Sequence, residues 1–311
     1  MSGESRSPPG PLAILLLTGL LCCIWGSTWV VIEGGLDDLP PFTSAAARFL
    51  LAAAGMTALA PWLARREGGS PPPLRLTLVL GTANFGCSYA IVYWSETRLP
   101  SGLVSVLWAI YPMVQAILGH RFLPGERLVG SQFAGFGLGF LGVVLLFGTD
   151  LRRIGPEAAP AGATLLLSPL LSALGTTFVK RHGRSVSSVR LNRNGMWIGA
   201  GLLSLAALLF ERQAPARWTP GALSSVLYLA IAGTVIAFGI FFWLLRHAPA
   251  NRLGVISYVI PAVALTLGVL LRGEPVTSFT VGGLGLILLG VFLVHRRRAR
   301  EAPSGTAPGR G

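Results

Sequence analysis

Apolar residues along this chain fall in ten long runs, separated by polar, Pro-rich or Gly-rich clusters. The runs lie at about residues 12–32, 42–62, 75–94, 101–120, 128–147, 162–180, 194–210, 221–245, 251–271 and 279–295. The joints include Pro40-Pro41, Pro71-Pro72-Pro73 and Gly155-Pro156, residue types that end helices and open turns. A helix of about 20 residues spans the roughly 30 Å hydrocarbon core of a bilayer. The pattern therefore predicts an all-α polytopic membrane protein with ten transmembrane helices. The first run continues through Trp29 to Ile32 and nine more follow it, so it reads as a retained first helix and not as a signal peptide.

The runs repeat. Trp94, Pro100 and Pro112 recur as Trp243, Pro249 and Pro261, each 149 residues later. Gly26-Ser27-Thr28-Trp29-Val30 recurs at the same offset as Gly175-Thr176-Thr177-Phe178-Val179. After the prolines the offset becomes 148, pairing Gly125-Glu126 with Gly273-Glu274 and Gly135, Gly137 and Gly142 with Gly283, Gly285 and Gly290. A constant offset over separate regions marks an internal duplication. The expected units are a tail at 1–11, a first repeat at 12–147, a linker at 148–161, a second repeat at 162–294 and a basic tail at 295–311. Five spans per repeat is an odd number, so the second copy enters the membrane from the opposite face. Two inverted halves around a midplane site are the architecture of secondary transporters, which work by alternating access.

Composition supports the membrane assignment. Of 311 residues, 52% are hydrophobic and 12% charged, with a mean hydropathy of +0.65. Soluble domains carry about 25% charged residues. The net charge of +13 would fit a nucleic-acid partner, but the basic residues sit in short loops between apolar runs, which excludes one. Their placement orients the chain instead. With the N-terminus inside, loops on the inner side hold eighteen Lys and Arg residues and outer loops hold six. The bias predicts both termini in the cytoplasm of a multi-pass plasma-membrane protein, of the bacterial inner-membrane type.

Cys22, Cys23 and Cys87 lie inside apolar runs without metal-ligand spacing, and the four histidines are scattered. No HExxH, GxSxG or GxxxxGK[ST] motif occurs. No metal, cofactor or enzymatic activity is expected. A membrane-embedded lipid-modifying enzyme would have only the Asp37-Asp38 pair to work with, and a solvated loop explains that pair more simply.

Several motifs together resemble the EamA-type drug/metabolite transporters. They are Ile24-Trp25-Gly26-Ser27-Thr28-Trp29-Val30-Val31 in span one, Arg48 in span two, the Pro-bearing spans four and nine followed by Gly-Glu, and the Gly-rich spans five and ten. The resemblance covers the chain outside its tails and implies two five-helix units. It implies secondary transport of small metabolites such as amino acids, with export the favoured direction, and helices three, four, eight and nine lining a central cavity. A sugar-phosphate or nucleotide-sugar carrier would share this architecture but would place more basic residues in the cavity than Arg48 alone.

Candidate pathway residues follow from helical faces. In span four, Ser101, Ser105, Trp108, Pro112 and Gln115 share one side, with Tyr111 one position off it. In span three, Asn84, Ser88 and Ser95 do the same, with Tyr89 adjacent. Polar groups turned to lipid are costly, so these faces should look inward, as a pathway or as helix-packing contacts. Span nine offers Ser257, Tyr258 and Pro261, the mates of span four. Pro112 and Pro261 each remove a backbone donor in mid-span. Trp25 should face a cavity or a neighbouring helix, and Trp29 the membrane interface. Arg48 is the one basic residue well inside a span, with Glu33 as its expected partner and an ion pair, an anion anchor or snorkelling as its open roles. No Asp or Glu is expected in mid-span. Gly135-x-x-x-Gly139 and Gly283 predict close helix approach, within the monomer or in a homodimer. The expected partners are thus a small-molecule substrate and the lipid bilayer.

Overall fold

The computed structural model describes residues 10–124, 128, 130–183, 185–247 and 256–298. The helices are α1 (Pro11–Leu36), α2 (Pro41–Glu67), α3 (Leu74–Glu96), α4 (Ser101–Phe122), α5 (Gly130–Gly148), α6 (Ala158–His182) and α7 (Ser188–Phe210). They continue as α8 (Pro220–Ala230, Ile231–Ile236 and Ala237–His247 in succession), α9 (Ile256–Leu267 and Gly268–Arg272) and α10 (Ser278–Arg298). A short turn, Asp150–Ile154, links α5 to α6. Among the described residues there is no sheet, only one parallel bridge between Ser70 and Val186. Gly125-Glu126, Pro249, both outer tails and the Tyr258 side chain lie outside the described residues.

Among the described residues, seven helices, α1 to α4 and α6 to α8, are long and apolar enough to cross a membrane; α5, α9 and α10 carry shorter apolar stretches. At 1.5 Å per residue the 26 residues of α1 reach about 39 Å, more than the hydrocarbon core. Leu12, Leu15, Leu16, Phe140, Leu208, Leu209, Phe210 and Leu270 are all exposed. A shell of this size and apolarity is a lipid-facing surface, so the chain is a multi-pass membrane protein.

Local chemistry sets the helix starts. Proline opens α1, α2 and α8, where its missing N–H is not needed. Ser187 and Thr219 cap α7 and α8 by accepting from Arg190 N (3.3 Å) and Ala222 N (3.1 Å). α4 is broken at Ala109–Ile110 and restarts at Tyr111. Pro112 supplies no N–H for the carbonyl of Trp108, which explains the break. Pro261 in α9 sits within an unbroken helix, so the two prolines are not equivalent. α3 and α8 both carry a π-helical segment, at Leu80–Cys87 and Ile231–Ile236. The second coincides with residues 82–87 shifted by the repeat offset of 149. Such segments are frequent at functional sites.

The most extensive helix–helix contact joins α5 and α10. A Cβ on Gly142 would meet Gly283 O at 2.7 Å, and one on Gly290 would meet Gly135 O at 2.5 Å. The glycine face read from the sequence is therefore packed within the monomer.

Candidate substrate-pathway site

The polar faces of α3 and α4 meet on α6. Asn84 Nδ2 donates to Ser172 O (3.0 Å) and Thr176 Oγ1 (3.2 Å). Ser88 Oγ pairs with Ser168 Oγ (2.7 Å) and accepts from Ser172 Oγ (2.9 Å). Trp108 Nε1 donates to Ser168 Oγ (3.0 Å) and Gln115 Nε2 to Thr177 Oγ1 (2.9 Å). Tyr111 OH donates to Thr176 Oγ1 (3.3 Å) and reaches Gln115 Oε1 at 3.4 Å. The Trp108 and Tyr111 rings stack at 4.9 Å and 12°, and Trp29 lies 6.1 Å from Trp108. Each neutral bond in such a seam contributes about 0.5–1.5 kcal/mol. The seam offers uncharged donors and acceptors beside aromatic faces, suited to a small amphipathic solute.

The α6 side of the seam is formed by Ser168, Ser172, Thr176 and Thr177, which are not among the candidate residues read from the helical faces. The spacing of four from Ser168 to Ser172 to Thr176 marks one face of α6, and Thr176-Thr177 stands in the repeat match. Gly175 admits this contact, since a Cβ there would collide with Asn84 Oδ1. Ser105 turns to Gly102 O of its own helix (2.6 Å), outside the seam. Ser257 is half-buried and Pro261 buried on α9, away from these bonds. Trp25 packs on Phe238 (5.9 Å) and Phe241 (5.4 Å) of α8 and faces a helix neighbour. Trp29, expected at the membrane interface, packs against Trp108 where α1 meets the Ser101–Trp108 segment of α4.

Arg48 forms a second centre, 2% exposed. Its Nε and Nη2 each lie 3.3 Å from Thr234 Oγ1 on α8, and Nη1 lies 3.4 Å from Tyr93 OH. The guanidinium also sits over the rings of Tyr89 (5.0 Å) and Phe49 (5.3 Å), and Tyr89 meets Phe49 edge-on at 4.6 Å. The expected partner was wrong: Glu33 faces Arg272, at 3.8 Å. Arg48 is caged by hydroxyls and aromatic faces, which rules out snorkelling.

One end of the bundle is tied by charges. Arg272 bridges both oxygens of Asp37 (2.8 and 2.9 Å), Arg217 pairs with Asp38 (2.9 Å) and Arg98 with Glu157 (3.4 Å). Asp37 and Asp38 are thus ion-pair partners. Glu274 accepts from Gly102 N (2.9 Å) and from Ser101 Oγ, joining the α9–α10 loop to the start of α4. Glu96, the last residue of α3, is only 4% exposed although it lies outside mid-span.

A cavity of ≈ 480 Å³ opens at the other end, lined by Arg65, Pro71, Arg190, Arg193 and Asn194. A smaller one of ≈ 260 Å³ lies by Asp150, Arg153 and Glu274.

A multi-pass helical bundle with a polar interior seam is the frame of a membrane transporter. The EamA-like transporter family matches the chain twice, at residues 12–148 and 160–296, and the chain belongs to that family. It is 31% identical over 287 residues to a probable amino-acid metabolite efflux pump of Salmonella typhimurium, covering 88% of this chain and 92% of that one. It is 30% identical over 284 residues to the uncharacterized inner membrane transporter YedA of Escherichia coli K12, with 88% of each chain covered. A solved crystal structure superposes with a TM-score of 0.66 at 20% identity, covering 94% of this chain and all of that one, which shows a shared fold. The protein is a multi-pass membrane transporter, not an enzyme.

Proposed function

We propose that this transporter moves small organic metabolites by alternating access, without ATP, and exports amino acids or related compounds across a bacterial inner membrane. The observation that carries this reading is the partly buried polar seam of Asn84, Ser88, Trp108, Tyr111 and Gln115 against α6. Trp108, Tyr111, Pro112 and Gln115 would contact substrate. Ser105, Trp25, Arg48, Tyr89, Ser257, Tyr258 and Pro261 would shape the pathway around them. The relative described as an amino-acid metabolite efflux pump supports the substrate class. All ten helices would cross the membrane as two inverted five-helix units, with both termini cytoplasmic. The recurring π-segment in α3 and α8 supports the duplication, and the Lys/Arg bias supports the orientation.

The test is uptake of a mixed labelled amino-acid pool into proteoliposomes. Saturable uptake is expected, and its absence would remove amino acids from first place. C-terminal phosphatase fusions should be inactive in the periplasm; active ones would overturn the orientation. A second reading, carriage of an anionic metabolite, draws on the cavity lined by Arg65, Arg190 and Arg193. Labelled sugar phosphates in the same assay separate the two.

A further inference from the structure

Glu96 closes α3, yet its side chain turns into the bundle. Both of its carboxyl oxygens are buried and lack a hydrogen-bond partner. Arg48 of α2, Glu33 of α1, Glu274 at the head of the α9–α10 loop and Tyr93 of its own helix lie within electrostatic range of it. Arg272 acts on the same cluster through Glu33. Among the described residues, α4 and α6 also pack on this helix but bring no charged side chain to Glu96.

An ionised carboxylate buried without a donor costs several kcal/mol, and two neighbouring carboxylates add to that. Arg48 offsets only part of this cost, because its N–H groups are directed to Thr234 and Tyr93 and make no hydrogen bond to Glu96. The neutral acid fits this enclosure. The charged form does not, unless water or Arg48 can reach it. Intramembrane carboxylates that answer to this description mark proton paths.

Taking the chain as the alternating-access carrier proposed above, we propose that Glu96 is its proton-binding site, exchanging one proton with solvent through Glu33 and Glu274. With that end of the bundle shut, the Glu96 carboxyl keeps its O–H bond. When the Arg272–Asp37 and Glu274–Ser101 ties part, water enters. The O–H bond then breaks, the electron pair stays on the carboxylate and the proton passes to water, while Arg48 becomes the counter-charge. The protonated form favours the closed end and the ionised form the open end, so a proton gradient biases the conformational equilibrium that moves substrate.

The site can be read without a substrate. Infrared difference spectra of the reconstituted protein should show the carbonyl stretch of a buried protonated carboxyl group. That band should disappear in Glu96→Gln, persist in Glu96→Asp and be unchanged in Glu157→Gln, a carboxyl at the bundle surface. A wild-type spectrum with no such band overturns the proposal without recourse to any variant, and so does an undiminished band in Glu96→Gln. In proteoliposomes, the response of labelled amino-acid uptake to an imposed pH gradient should be lost in Glu96→Gln; an unchanged response refutes coupling through this residue. Failure of the wild type to carry amino acids would strike the substrate assignment alone, and the infrared result would still decide Glu96.

Discussion

Glu67 and Glu211 cap each other's helices. Glu67, at the end of α2, accepts from Ser187 Oγ (2.6 Å), Ser188 Oγ and Val189 N (3.1 Å) at the start of α7. Glu211, just past the end of α7, accepts from Phe42 N (2.7 Å), Thr43 N (2.7 Å) and Thr43 Oγ1 (2.8 Å) at the start of α2. Each carboxylate meets the unpaired N–H groups and the positive dipole end of the partner helix. The antiparallel pair is thereby clamped at both ends.

Replacing either carboxylate leaves those N–H groups unpaired. Glu67→Ala and Glu211→Ala should each lower stability by about 1 kcal/mol. The two caps lie roughly 40 Å apart along a 27-residue helix, so the losses should add in the double variant. Thermal unfolding in detergent measures this, and a double variant no worse than either single one would refute independent caps.

Trp108→Ala and Gln115→Ala should reduce transport while both variants still express and fold. Trp108→Ala should also lower the unfolding temperature, because it loses the stack on Tyr111 and the contact with Trp29, whereas Gln115→Ala loses only neutral hydrogen bonds. Normal uptake by both folded variants would remove the seam from the pathway.

Gly175 is the position at which α6 lets Asn84 approach. A methyl group there must displace the amide from Ser172 and Thr176. Gly175→Ala should destabilise by about 1–3 kcal/mol, as overpacking does. Adding Asn84→Ala should recover part of the loss, because the clashing atom is gone. A double-variant cycle in unfolding temperature with no recovery would show that the collision lies elsewhere.

Arg48→Lys should not substitute for arginine. A single ammonium cannot hold Thr234 and Tyr93 together while lying flat on two rings. Thr234→Val should cost about 1–3 kcal/mol by removing the one hydroxyl that accepts two of the guanidinium's hydrogen bonds. Unfolding measurements on both variants check this, and wild-type stability in Arg48→Lys would argue against the cage.

The sequence by itself determined the helical runs, the duplicated script and the polar faces of α3 and α4. Each rests on periodicity, which the chain carries locally: an apolar run states its length, and spacing of three and four states a face. Family membership was legible for the same reason, since its motifs lie in continuous segments. Only the tertiary structure decided what those faces meet. Asn84, Trp108 and Gln115 found their partners on α6, which lies 60 to 92 residues away in the chain. Arg48 found Thr234, 186 residues on, and not Glu33. Glu96 reads as a loop residue by its place beside Thr97 and Arg98, yet packing turned it inward. Periodicity says which side of a helix is polar, but the neighbour on that side is chosen by how the helices pack, and no local pattern encodes that choice.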